Sequence, residues 1–138
     1  DNVSYDPFLS SQNEAPKAPG MKYKHYAPDA PMRAFIGNPK DVAEAFNNVI
    51  HEQDTKRGAF LVSQETYELL KDSVHGEFHV YGHSGDAVAL AHDFYKTLHH
   101  FNECDVDYIL AEGVENTGLG VAVMNRMEKA CAGHIIYL

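Results

Sequence analysis

The chain has 138 residues, 44% of them hydrophobic and 22% charged, which suits one domain with a sizeable core and excludes disorder over most of its length. Eleven Lys and Arg against twenty Asp and Glu give a formal charge of −9, a field that repels a phosphate backbone and argues against direct nucleic-acid binding. No apolar run approaches the ~20 residues of a membrane span and no signal-peptide pattern opens the chain; the two cysteines, Cys104 and Cys131, fit a reducing cytosol rather than a disulfide framework.

All six prolines fall at or before position 39, and residues 1–31 show neither a helical nor a strand period. Such a segment reads as an extended arm, held partly in polyproline geometry, ahead of a folded domain over residues 32–138. Three Lys against four acids leave −1 on the arm, so −8 belongs to the domain. An opening Asp in place of Met suggests a fragment or a processed product, and a long N-terminal arm usually leads from something. Within the arm, the stretch from Pro19 to Pro28 packs two Tyr, a His and two Lys between prolines. Proline lowers the entropy of a fixed extended path, Tyr offers flat amphipathic contact, and Lys22 or Lys24 could meet phosphates. A linker whose aromatics dock on its own domain explains the composition equally well.

After the arm the pattern alternates. The run Arg33–Gly37 is a buried strand candidate, and Asp41 with Glu44 reads as a capping box for a helix carrying Val42, Phe46, Val49 and Ile50 on one face. Gly58–Val62 is a second strand, followed by a short helix through Tyr67, Leu69 and Leu70. Glu77–Tyr81 is a weaker third strand. Ala87, Leu90, Ala91, Phe94, Leu98 and Phe101 form a clear amphipathic stripe. Asp107–Ala111 is a fourth strand, and a helix from Leu119 to about Ala132 follows, with Thr117 as its cap and Gly133 as its terminator. His134–Leu138 closes the chain as a fifth strand. Five strands alternating with four helices predict a three-layer α/β domain, Rossmann-like or flavodoxin-like, with mostly parallel strands and helices on both faces. A doubly wound order with the first strand central is the usual solution.

Ligands of such sheets bind beyond the C-terminal strand ends. The loop Gly37–Asp41 lacks the spaced glycines of a dinucleotide site and the acidic pair of a phosphoacceptor site. Gly113 and Gly118 have the spacing of a phosphate loop, but Leu119 stands where its Lys belongs and Glu112 and Glu115 oppose an anion, so a tight turn with close helix packing is the better reading. Asn125 and Arg126 read as a solvated helical face. His75, His79 and His83 have metal-ligand spacing only on a helix, whereas the region reads as a strand, so surface histidines are expected and no metal site. In Gly82–Asp86 the second Gly comes too early for a nucleophile elbow, which leaves Ser84 or Asp86 as a helix cap. Both cysteines sit among apolar neighbours and are read as small hydrophobes, not catalytic thiols.

Two motifs in order carry a resemblance. The run Pro19-Gly20-Met21-Lys22-Tyr23-Lys24-His25-Tyr26-Ala27-Pro28 resembles the interdomain linker of long-form L-threonylcarbamoyladenylate synthases. Ile109–Gly113 followed by Gly118–Arg126 is similar to the signature of their C-terminal domain. The resemblance spans about residues 18–138. It implies an enzyme that joins threonine, bicarbonate and ATP into threonylcarbamoyl-AMP for the threonylcarbamoyladenosine modification of tRNA. Catalysis in that family belongs to an N-terminal YrdC-like domain, which uses ATP and Mg2+ and is absent from this chain. The implied role here is the accessory domain and an arm that lids the catalytic cavity through Lys22, Tyr23, His25 and Tyr26. On that reading the chain alone is inactive, holds no catalytic residue, metal or cofactor, and works in the cytoplasm. Its partner is then the catalytic domain of the same polypeptide, with other tRNA-modification proteins as further candidates. One departure is Lys24, where the family commonly has Arg; the charge is kept and the planar fork lost. The alternative is a stand-alone Rossmann-like module that binds a nucleotide or a protein.

Overall fold

Segments of three to five residues, largely apolar and too short for ordinary helices, become strands, the half-polar Glu77–Val80 among them. The computed structural model describes residues 27–138, in which these are β1 (Met32–Ile36), β2 (Gly58–Val62), β3 (Glu77–Val80), β4 (Tyr108–Glu112) and β5 (Ile135–Tyr137). Four helices link them: α1 (Pro39–Gln53), α2 (Gln64–Leu70), α3 (Ala87–Glu103) and α4 (Gly120–Ala130). The α/β architecture expected from the alternation is present, and every strand pairing is parallel.

The strand order, which the alternation of elements leaves open, is β3-β2-β4-β1-β5, so β1 does not take the usual central place. The centre belongs to β4, buried along its whole length like its neighbour β2, whereas β3 is half-buried and β5 mostly exposed. A strand covered by helices on both faces must be apolar on both, and Tyr108-Ile109-Leu110-Ala111 meets that condition.

Direction of travel sets the layers. The crossovers containing α1 and α2 move toward the β3 edge; those containing α3 and α4 move back toward β5. Right-handed crossovers running in opposite directions must lie on opposite faces. Accordingly α1 packs beside α2 and α3 beside α4. One core holds Phe46, Phe60, Leu70, Tyr108 and Leu110; the other holds Leu90, Phe94, Leu98, Phe101, Met124 and Met127. The α3 stripe is buried at Leu90, Phe94, Leu98 and Phe101, while Ala91 faces out.

Two caps differ from the sequence reading. Asn38, not Asp41, caps α1: its Oδ1 accepts the Asp41 N–H at 2.9 Å, and Pro39 supplies a first-turn residue with no N–H to satisfy. Asp41 therefore sits inside the first turn. At α4 the cap position is Leu119, with no side-chain acceptor, and Thr117 contributes only its carbonyl, to the Gly120 N–H at 2.8 Å. Asp86 does cap α3, accepting from the Ala89 N–H at 3.0 Å. No helix among the described residues is long and apolar enough to cross a membrane.

Phe60 is fully buried and rings with Phe46, Phe78 and Tyr108 at centroid distances of 6.1, 5.0 and 6.1 Å. Phe60→Ala should lower unfolding free energy by about 3–5 kcal/mol in urea titration, the range for deleting a core aromatic.

Candidate functional site

Adjacent strands whose following helices leave to opposite faces open a crevice at their C-terminal ends. Here β1 leads to α1 on one face and β4 to α4 on the other. The crevice between them is a cleft of about 810 Å³, bounded by Gly37 and Asn38 after β1, the loop from Gly113 to Gly120 after β4, Ser84–Val88 around the start of α3, and Tyr137 and Leu138. The arm joins elsewhere. The Asp29 N–H donates to Asn102 Oδ1 at 3.0 Å and the Pro31 carbonyl accepts from Ile109 N–H at 2.9 Å, at the N-terminal ends of the strands. Five strand residues, about 16 Å, separate that entry from the cleft.

The glycines of the β4–α4 loop serve packing, as the sequence reading held. A Cβ on Gly120 would lie 2.1 Å from the Glu115 carbonyl oxygen, and one on Gly113 would meet Ile36 and Met124 at 2.9 Å. Gly118 takes φ +53°, the left-handed region.

Glu112 is the functional-looking residue that the sequence reading misplaced. Its place in the sequence groups it with the loop acids, yet it ends β4 with 1% of its surface exposed. Its Oε1 accepts the Ser63 N–H at 2.8 Å across 49 positions of sequence. Ser63 Oγ in turn caps α2, accepting from the Thr66 N–H at 3.2 Å. Burial pushes the Glu112 carboxyl up, against the opposing hydrogen bonds from Ser63 and Thr66. Nearby Tyr81 is buried, and its hydroxyl has no partner among the described residues. Burial first, and the Glu112 charge second, push that phenol above its ordinary range. An acid closing an otherwise apolar run, Tyr-Ile-Leu-Ala-Glu, was the one available signal.

A second acid ties the loops together. Glu65 accepts the Ser84 N–H at 2.8 Å and faces His83 Nδ1 at 3.1 Å. The backbone donor of Ser84 is the main cause holding this carboxyl below its usual range. Ser84 is thus a donor to Glu65 and not a helix cap. The three strand-region histidines have different surroundings: His83 faces Glu65, His79 Nε2 lies 2.6 Å from Asp93 Oδ2, and His75 is exposed. Burial raises Asp93, but hydrogen bonds from His79 and His92, with the His79 and Lys96 charges, outweigh it and hold the carboxyl down. Asn125 is exposed and Arg126 half-buried, and neither lines the cleft. Cys131 is a core residue, 2% exposed. Cys104 corrects the reading of both cysteines as packing groups: it caps α3, partly exposed, with Sγ 3.5 Å from His100 Nε2. The last turn of α3 brings that pair to one helical face, which the apolar neighbours in sequence concealed. Lys22, Tyr23, His25 and Tyr26 lie outside the described residues.

The chemistry of the cleft follows from its lining. Val88, Leu119, Tyr137 and Leu138, each more than half exposed, form an apolar rim. Among the described residues its charged lining groups are Asp86 and Glu115, with no Lys or Arg. Among these residues a triphosphate would find no counter-charge.

The chain matches the family model described as threonylcarbamoyl-AMP synthase, C-terminal domain, over residues 2–132. It is 36% identical over 136 residues to the threonylcarbamoyl-AMP synthase of Bacillus subtilis, covering 97% of this chain and 37% of that protein. The crystal structure of Pyrococcus abyssi Sua5 complexed with L-threonine superposes with a TM-score of 0.63 at 32% identity, covering 99% of this chain and 38% of that one. The crystal structure of the C-terminal Sua5 domain from a Pyrococcus horikoshii protein superposes at 0.57 with 29% identity, covering 81% of this chain and all of that one. The chain thus spans little more than a third of the full-length relatives.

Two outcomes follow from this geometry. Gly120→Ala must displace the Glu115 backbone and should cost about 3 kcal/mol by urea denaturation, the upper part of the range for overpacking. Glu112→Gln keeps an acceptor for Ser63 and removes the buried charge. Because the folded carboxyl titrates above its ordinary 4.5, its contribution is complete below that pH and is lost as pH rises through the folded value. The variant should therefore match wild type near pH 4 and exceed it at pH 8, with Tm raised by about 3 °C, the displacement that roughly 1 kcal/mol gives. Calorimetry across that range checks it.

Proposed function

The chain belongs to the threonylcarbamoyl-AMP synthase C-terminal domain family, and from that premise we propose that it is the accessory domain and lid-bearing linker of an enzyme making threonylcarbamoyl-AMP. The observation that carries this reading is the family match, which runs from residue 2 through the arm and past the last helix to residue 132. Relatives are about three times as long, and in this reading the additional length holds the chain's expected neighbour, a catalytic domain of the same polypeptide that would use L-threonine, bicarbonate, ATP and Mg2+. The product serves the threonylcarbamoyladenosine modification of tRNA, a cytoplasmic task, and this chain by itself is inactive.

In this reading the arm does the chemistry-related work. A carbamoyl intermediate is readily hydrolysed, and Tyr23 and Tyr26 cover it with flat aromatic surface that excludes water. Lys22 offsets phosphate charge, and His25 belongs to the same lid segment. The folded domain anchors the arm through Asp29–Asn102 and the pairing of Pro31 with Ile109. The cleft at the far end, acidic and rimmed by apolar side chains, suits contact with protein rather than nucleotide. That character favours the protein-binding limb of the alternative module reading over the nucleotide-binding one.

The test uses the parent-length enzyme with a Tyr23→Ala, Tyr26→Ala double variant. Threonine-dependent pyrophosphate release should fall at least about tenfold, or continue without recovered threonylcarbamoyl-AMP, as the loss of water exclusion requires. Unchanged, fully coupled turnover would reduce the arm to a tether.

A further inference from the structure

At the end of the sheet where the arm enters, three unlike donors converge. Glu77 opens the edge strand β3, His100 lies in the last turn of α3, and Cys104 caps that helix. A carboxylate oxygen of Glu77, a ring nitrogen of His100 and Sγ of Cys104 all lie within 4.8 Å of one another. We propose that Glu77, His100 and Cys104 form a binding site for a soft divalent cation, zinc by its donor set.

The geometry supports this beyond proximity. The spacing of His100 and Cys104 puts both on one helical face, and the third ligand arrives from a different element. A tetrahedral zinc with bonds of about 2.3 Å to sulfur and 2.0 Å to nitrogen holds those two atoms about 3.5 Å apart. The observed separation between Cys104 Sγ and His100 Nε2 is 3.5 Å. Thiolate with imidazole selects zinc or cobalt over magnesium or calcium. Three protein ligands leave the fourth position to water. The scaffold behind the ligands is firm: Phe101 between them is buried, and the Cys104 N–H is bonded to its carbonyl at 3.0 Å.

The surrounding charge favours a cation as well. The charges acting on Cys104 are those of Glu77 and Glu103, with Arg57 opposing them. A bound cation would neutralise that acidic corner. The consequence is mechanical. The metal would clip the end of α3 to the edge strand, and Asn102, two residues after His100, is the residue that holds Asp29 at the base of the arm.

Cobalt is the spectroscopic probe, titrated into the reduced 138-residue chain; the solved single-domain relative shows that a fold of this type stands alone. One equivalent should produce a thiolate-to-cobalt charge-transfer band with four-coordinate visible bands. The chain has only two cysteines and Cys131 is buried, so the band reports Cys104. Zinc should displace the cobalt, protect Cys104 from iodoacetamide and raise Tm. Cys104→Ser should abolish the band, and His100→Ala should weaken zinc by more than the roughly 10–100-fold that an outer-shell change costs. His92→Ala, on the same helix, should leave the affinity unchanged. Absence of the band, or zinc affinity equal in wild type and His100→Ala, would overturn the site. Alkylation of wild-type Cys104 at the same rate with and without zinc would do so without reliance on any variant.

Discussion

Right-handed crossover is the constraint on which everything else in this domain rests. Five parallel strands cannot be joined by hairpins, so each connection must climb over the sheet, and handedness fixes which face it takes. Two connections moving toward the β3 edge and two moving back leave two helices on each face, and hence two separate cores. The same reversal opens the cleft between the ends of β1 and β4. Close packing then restricts the residues at that junction, where Gly120 touches the Glu115 backbone and Gly113 lies against Ile36 and Met124.

Polar groups at the strand ends act as ties between loops. Glu112 reaches from the central strand to the backbone that opens α2, and Glu65 reaches from α2 to the loop ahead of α3. The two carboxyls do similar work in opposite environments. Glu65 is exposed and its hydrogen bonds lower its pKa; Glu112 is enclosed, and burial prevails over its hydrogen bonds. The opposite end of the sheet carries the arm, and there Asn102 and the α3 terminus with Glu77, His100 and Cys104 form a second polar cluster. The domain is therefore polarised along its strands, with the anchoring of the arm at one end and the apolar-rimmed cleft at the other.

Much of the fold was legible because helix and strand periods are local. The α3 stripe, the short apolar strands and the Asp86 cap are properties of spacing within a few residues, and each is present. Where the reading failed, the deciding partner was a close competitor or was remote. Asn38 with Pro39 outcompeted the apparent capping box at Asp41, because a preset first turn and a good acceptor occur three residues earlier. Thr117 lies in a turn whose backbone, not its hydroxyl, meets Gly120.

The sequence by itself determined the class of the domain, the alternation of its elements, the apolar face of each helix and, through two motifs, the family. Only the tertiary structure decided that β4 and not β1 is central, that Glu112 is enclosed, and that Cys104 meets Glu77 and His100. These are contacts between segments far apart in the chain, fixed by the direction in which each crossover travels. Periodicity records which side of an element is apolar, and it carries no record of which neighbour that side will meet.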